Sequence, residues 1–536
     1  MKSPNFESMQ MNESEVFAKN WSSIVLWGGL IFLFGYWLFG FDGITFSDDV
    51  YYLLAGRDFW EGKMGTNDYH FSSRWGAYIP AGLIVHWFGM NPHWASAISF
   101  IAYLITFLLL FRLQSEKEGK LIFSIWMLTQ VYLLHFLTKV YPDALLVLCV
   151  AFVVFASTFR FQKPFLAALG IIIGFFVGMV TKETMILLGT FPILILYFDW
   201  RSKKMNFSFL GYLIALGTAV ILLYLSYFWW KFGDPFYRVT SINAGHYVSE
   251  FTYGDKGWKS ILRRVSYLPI TTFVERIYWP WIVFAIPGIW NALKTKKPID
   301  LEFSLAFLSL LIGFWFMSST LELYNPIYLN PRHLIVIVPI LAFLIGSGWK
   351  AWKTNPKMKW TIMSLMILGV AISVFQNDWK TAAFQGVLTV LLFLRKSNWQ
   401  LAAFSLVLIS PAISAIQYQK ELKDYPHLIN ELNREILSTE NQSPILVNNF
   451  IYFSREVLIP DQGLTENKLI PVESADSLIQ TAPEEIRVFI YHYYQHAYPQ
   501  EEEDIVPLES LLEPSYQLQE GRVNGQVEVN VYRKRN

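Results

Sequence analysis

A single cysteine, Cys149, stands in the 536-residue chain, and it lies inside an apolar run. No internal disulfide is available, so any part outside a membrane must hold together by packing alone. Charge is also scarce: Asp, Glu, Lys and Arg make up 16% of the residues against 54% hydrophobic and 17% aromatic, with a mean hydropathy of +0.33. That balance excludes an ordinary soluble multi-domain enzyme. The chain lacks the short alternating segments of an outer-membrane barrel. It lacks an A-x-A-like cleavage site after Gly40, and Glu7, Glu13 and Glu15 precede the first apolar run, so that run is expected to be an uncleaved span. Residues 417–536 show no nucleotide-binding glycine loop or metal-ligand cluster, no internal repeat is evident, and neither a cofactor nor a nucleic-acid partner is expected; Asp48 and Asp143 could hold a metal, but no ligand-rich cluster demands one and none is expected.

What the chain does have is long apolar runs. Thirteen recur, near 22–40, 93–113, 121–138, 142–159, 165–181, 184–199, 208–230, 277–293, 301–319, 334–349, 360–376, 380–394 and 399–416. Each approaches the length that crosses a hydrocarbon core of about 30 Å as helix. Lipid satisfies no backbone polar group, so the spans must be helical. The reading is a polytopic α-helical membrane protein of about thirteen transmembrane helices. Residues 1–20 are read as a cytoplasmic N-terminus, 21–416 as the membrane domain, and 417–536 as a small extracytoplasmic α/β domain. In that last part, strand-like runs (Ile445–Val447, Val488–Tyr491, Val527–Tyr532) alternate with helical patterns near 426–437 and 473–480.

Charge orients the chain. Residues 1–416 carry 33 Lys/Arg against 22 Asp/Glu, whereas 417–536 carry 10 against 20. With the N-terminus inside, the inner loops receive most of the basic groups, from Arg112 and Lys117 through Lys350, Lys353, Arg395 and Lys396, while the short outer turns hold only Lys139, Lys182, Arg332 and Lys380. The positive-inside rule then predicts N-in, C-out in a plasma membrane, the inner membrane of a bacterium. Two outer loops, 41–92 and 231–276, exceed a connector's length. The second carries seven basic residues, Arg238 and Arg264 among them, which either lie on anionic membrane lipids or face an anionic ligand.

The strongest local signal follows the first span, in Phe46-Ser47-Asp48-Asp49-Val50-Tyr51-Tyr52. Ser47 as N-cap with two acids in the first turn is a good helix start in its own right. The loop continues through Arg57 and His70-Phe71-Ser72-Ser73-Arg74-Trp75-Gly76 to Trp87-Phe88-Gly89, and Tyr141-Pro142-Asp143 heads the fourth span. Later come Gly174 to Glu183, ending Thr181-Lys182-Glu183, and Pro331-Arg332-His333 leading to Pro339. In this order the motifs resemble the GT-C membrane glycosyltransferases, in the branch of the protein O-mannosyltransferases and the lipid A aminoarabinose transferase. The likeness extends to about residue 416.

The resemblance implies transfer of a sugar from a polyprenyl-phosphate donor to a lipid, glycan or protein acceptor at the outer surface, usually with inversion. Asp48 matches the family's catalytic carboxylate, Asp49 sits where Glu is more frequent, and Asp143 matches an acidic residue of the second outer turn. Two such carboxylates raise one another's pKa or share a cation. Arginine stays charged and its planar fork fits phosphate, so Arg74 and Arg332 are the candidates for the donor phosphate, with Arg57, His70 and Lys182 behind them. Glu183, His333 and Tyr51 complete the candidate site. The aminoarabinose branch has Lys-Pro-Pro near the place of Arg74-Trp75-Gly76, which leaves the donor sugar open. For each of these residues a structural role competes: helix capping for Asp143 and His333, interface anchoring for the arginines, snorkelling for Lys182. Two other functions stay open on sequence alone, a transporter or flippase of lipid-linked glycans and a non-enzymatic envelope assembly protein.

Overall fold

The computed structural model describes residues 13–67, 69–245, 252–254, 256–318, 324–394, 396–437, 443–460 and 468–535. Most of the predicted N-terminal tail (1–12) and Arg395 lie outside them. Each of the thirteen apolar runs falls on helix, and the chain is a polytopic helical membrane protein. Among the described residues, nine helices are long and apolar enough to cross a membrane, from Trp21–Phe39 to the one beginning at Ser397. The four remaining runs differ from the expectation of one long span each. The 121–138 run is two helices, Lys117–Leu128 and Val131–Leu137, bent by 67°. At the break the Gln130 side chain accepts the amide of Leu133 at 2.7 Å, which caps a new helix start. The other three, Pro142–Ser157, Trp279–Thr295 and Trp379–Leu391, have 16, 17 and 13 residues.

The two surface helices of the first loop, Asp48–Trp60 and Trp75–Phe88, cross at Gly56 and Gly82. A Cβ on Gly82 would lie 2.2 Å from the Gly56 carbonyl carbon, and one on Gly56 2.5 Å from the Tyr78 carbonyl oxygen. Backbone rather than a flexible side chain would have to give way. Gly82→Ala should therefore lower stability by about 1–3 kcal/mol through forced separation of the two helices, seen as a lower midpoint of thermal unfolding in detergent.

The last span belongs to a helix that runs on to Lys423 and ends at Asp424, whose φ of 44° turns the chain. Beyond the helix Tyr425–Leu437 lies a five-stranded sheet of order β2-β1-β3-β5-β4, formed by Ile445–Val447 (β1), Leu469–Pro471 (β2), Glu485–Tyr491 (β3), Tyr516–Asn524 (β4) and Val527–Lys534 (β5). β1 is parallel to β2 and β3, while β3 with β5 and β4 with β5 are antiparallel. This domain shares one hydrophobic core with the first loop: Ile44, Phe46, Val50, Tyr52 and Leu53 are buried in the same cluster as Ile445, Phe450, Phe489 and Tyr491. The segment just before Asp48 is thus wedged between membrane helices and the C-terminal domain. Phe46, at φ 58°, is held there by edge and tilted ring contacts with Tyr425, Phe450, Tyr491 and Tyr493, and Tyr498 Oη donates to the Thr45 carbonyl at 2.7 Å.

Candidate active site

The side chains of Asp48 and Asp49 part company. Asp49 is buried, and its carboxylate accepts Thr45 N (2.6 Å), Thr45 Oγ1 (2.7 Å), Ser47 N (3.2 Å) and its neighbour Val50 N (3.0 Å). It therefore does the capping expected of Ser47, which makes no side-chain cap bond among the described residues. Asp48 points the other way, with 22% of its side chain exposed, and accepts a 2.8 Å bond from Arg332 Nη1. Arg332 opens a short helix, Pro331–Leu334, whose Asn330 cap accepts the Arg332 amide at 3.0 Å.

Asp143, fully buried at the head of its helix, meets the same guanidinium: Arg332 Nε stands 3.8 Å from Asp143 Oδ2. The two carboxylates share a cation, as one branch of the expectation held, and the cation is an arginine. Lys182 Nζ donates to Asp143 Oδ1 at 2.6 Å, and the ring of Tyr141 lies 5.2 Å under the Arg332 guanidinium. Residues from four separate turns, at 48, 143, 182 and 332, thus form one cluster at a single end of the bundle.

Lys182 and Glu183, adjacent in sequence, serve different partners. Glu183 accepts Arg74 Nε at 3.1 Å and Nη2 at 2.8 Å, and on its other oxygen Arg238 Nη2 at 2.8 Å. Arg74 also donates to Tyr52 Oη at 2.9 Å and covers the Phe71 ring at 4.0 Å. Arg238 donates to Tyr224 Oη at 3.0 Å. Two buried guanidinium groups thus converge on one carboxylate. Of the other sequence candidates, His70 is buried with its ring against Phe71, Tyr51 packs on Tyr52, Tyr69 and Phe71, and His333 Nδ1 is 2.9 Å from the Tyr328 carbonyl. Arg57 lies apart. It pairs with Asp58 and reaches Glu456 of the C-terminal domain, each at 2.9 Å, so it docks that domain.

A cavity of about 500 Å³ adjoins these groups, lined by Phe59, Trp75, Tyr78, Phe176, Tyr224 and Tyr227 among others. The Tyr224 hydroxyl that Arg238 holds belongs to its wall, so an apolar slot runs up to Arg238. Arg238 and Tyr224 are the residues sequence reasoning missed. The excess of base in the second outer loop was the only available signal, and it could not single out Arg238 from six others.

Burial drives the Lys182 ammonium down to about 8, with Asp143 opposing the shift. Lysine carries charge only below its pKa, so above pH about 8 the cluster loses a cation. Affinity for an anionic ligand should fall as pH rises through that value, and Lys182→Arg should abolish the fall because arginine keeps its proton. Titrating phosphate-ligand affinity against pH in both proteins tests this, and equal curves would exclude Lys182 from the anion's surroundings.

No family model matches the chain, and no curated protein matches it. Two solved structures are similar over nearly their whole length. ArnT from Cupriavidus metallidurans bound to undecaprenyl phosphate has a TM-score of 0.60 at 12% identity, over 96% of this chain and 98% of that one. The apo form of the same ArnT has a TM-score of 0.59 at 13% identity with the same coverage. At this identity the likeness is one of fold, shared with ArnT.

Proposed function

We propose that this chain of GT-C fold transfers a sugar from a polyprenyl-phosphate carrier to a lipid, glycan or protein acceptor on the extracytoplasmic face of the plasma membrane. The observation that carries the reading is the half-open Asp48–Arg332 pair, 22% and 25% exposed, backed by Asp143 and Lys182. A carboxylate that can take a proton stands beside cations that can hold a phosphate. The apolar cavity that reaches Arg238 through Tyr224 suits isoprene units, and the ArnT structure with undecaprenyl phosphate supports a polyprenyl phosphate as the carrier.

Asp48 is the general base. As the acceptor oxygen bonds to the anomeric carbon, its proton passes to Asp48. The bond from that carbon to the phosphate oxygen breaks, and the electron pair leaves on the phosphate. Attack opposite the leaving group inverts the anomeric centre. Arg332, Lys182 and the Arg74–Arg238 pair oppose the charge growing on the phosphate, which is where fixed cations in a dry site are most effective. Asp49 acts on Asp48 through the loop, as a positioning residue.

The test is mass analysis of envelope glycans in a deletion strain complemented with wild type or Asp48→Asn. Loss of one sugar species in the deletion and the variant, restored by wild type alone, is the expected result. Restoration by the variant would favour a transport or assembly role.

A further inference from the structure

Among the described residues, two polar atoms in the cluster have no hydrogen-bond partner although both are buried: Arg332 Nε and Asp143 Oδ2. They face each other at 3.8 Å, too long for a hydrogen bond. Meanwhile Arg332 Nη1 is committed to Asp48 at 2.8 Å. The guanidinium is thus drawn between two carboxylates, in full contact with the exposed one and just short of the buried one. A swing of about 1 Å would bring Nε into hydrogen-bond range of Asp143. The backbone needs no change for this, because Asn330 accepts the Arg332 amide at 3.0 Å and Tyr278 Oη donates to the Pro331 carbonyl at 2.8 Å. The Tyr141 ring beneath the guanidinium offers a face over which it can turn.

In this arrangement Asp48 Oδ2, one of the two oxygens a general base could use, already accepts from Arg332 Nη1. We propose a handover: Arg332 masks Asp48 while the site is empty, and the phosphate of an arriving donor, a diester of sugar and polyprenol, draws the guanidinium away, Asp143 catching its Nε, so that donor binding itself uncovers the base. The inference rests on Asp48 as base and on a phosphate donor, and it adds that the two are coupled through one side chain. Asp48 and the phosphate compete for Arg332. A site with no donor therefore keeps its base paired with Arg332, and less able to take a proton from water or an acceptor.

Competition makes a prediction that does not depend on turnover. In the full-length protein in detergent, Asp48→Asn should bind farnesyl phosphate about tenfold more tightly than wild type, because the negative charge that competes for Arg332 is gone. In an Arg332→Gln background the same substitution should change affinity by less than about twofold. Should Arg332→Gln fail to fold, as thermal unfolding would reveal, Arg332→Lys serves instead. It keeps a charge for the phosphate but lacks the Nε that Asp143 receives, and the tightening should shrink.

Equal tightening in both backgrounds would mean a general charge effect and overturn the handover, and so would no tightening in the first. Sugar transfer by the same Asp48→Asn sample separates the two layers. An inactive variant without Arg332-dependent tightening loses the handover alone, an active one loses the base assignment, and a wild type that does not bind farnesyl phosphate loses both.

Discussion

Asp48→Asn should cut sugar transfer by about 100- to 10⁴-fold, the usual worth of a positioned general base, while leaving the fold intact. Asparagine fills the same space and still offers Arg332 an oxygen. The lost ion pair is partly open to solvent, and such pairs contribute about 1 kcal/mol or less to stability. Asp49→Asn is the contrasting change. That carboxylate accepts four bonds, three from the loop before the helix and one from Val50 in its first turn, with backbone amides donating three of the four, so its loss should lower the unfolding midpoint along with activity. Comparing initial rates and thermal midpoints of the two variants distinguishes a group that reacts from one that holds its neighbour in place. Turnover by Asp48→Asn within threefold of wild type, at equal expression, would remove the base assignment.

The reasoning that led to Asp48 from sequence was local, and what it missed was non-local. Spans are legible because crossing lipid demands apolar length within one segment, and every predicted run is helix. The ends were harder. Pro142–Ser157 and Trp379–Leu391 are shorter than the runs suggested, and the 67° bend after Leu128 depends on a capping glutamine in the middle of apolar sequence. β1, β3 and β5 carry enough apolar or alternating residues to be seen. β2 has three residues, and β4 is almost wholly exposed at the sheet edge, leaving little pattern to read.

Charge pairs are the extreme case. Arg57, read as a phosphate ligand, meets Glu456, and Glu183 meets Arg238 from another loop. Nothing in a window of neighbours encodes such partners, because the fold brings them together only after the spans have packed. Asp48, Asp143, Lys182 and Arg332 could be grouped beforehand only because each lay at the same end of a span.

The clearest casualty of local reading is Asp42, which drew no attention as a candidate and holds a buried charge group on this face. Its carboxylate pairs with Lys139 from the turn before the fourth apolar run and, at 3.0 Å, with Lys423 from the end of the last span helix. All three side chains are 4% exposed or less. Lys139 also donates to the Gly43 carbonyl and Lys423 to that of Ile44, at 3.0 Å for the latter. Burial pushes the Asp42 carboxyl up, but the two lysines more than reverse it and hold it well below the ordinary carboxylate range.

Asp42→Asn would leave two buried ammonium groups facing each other, and breaking a pair of this kind costs about 3–5 kcal/mol. The loss should appear as a large fall in thermal midpoint. It should also loosen the segment 43–47 that carries Asp48, so transfer should fall as well. Replacing the whole cluster, with Asp42→Leu, Lys139→Met and Lys423→Met together, removes the charges with their partners and should recover most of the stability. A triple variant as unstable as Asp42→Asn would mean that the carbonyl contacts of the lysines, rather than the charge pairing, clamp the catalytic loop between the membrane helices and the C-terminal domain.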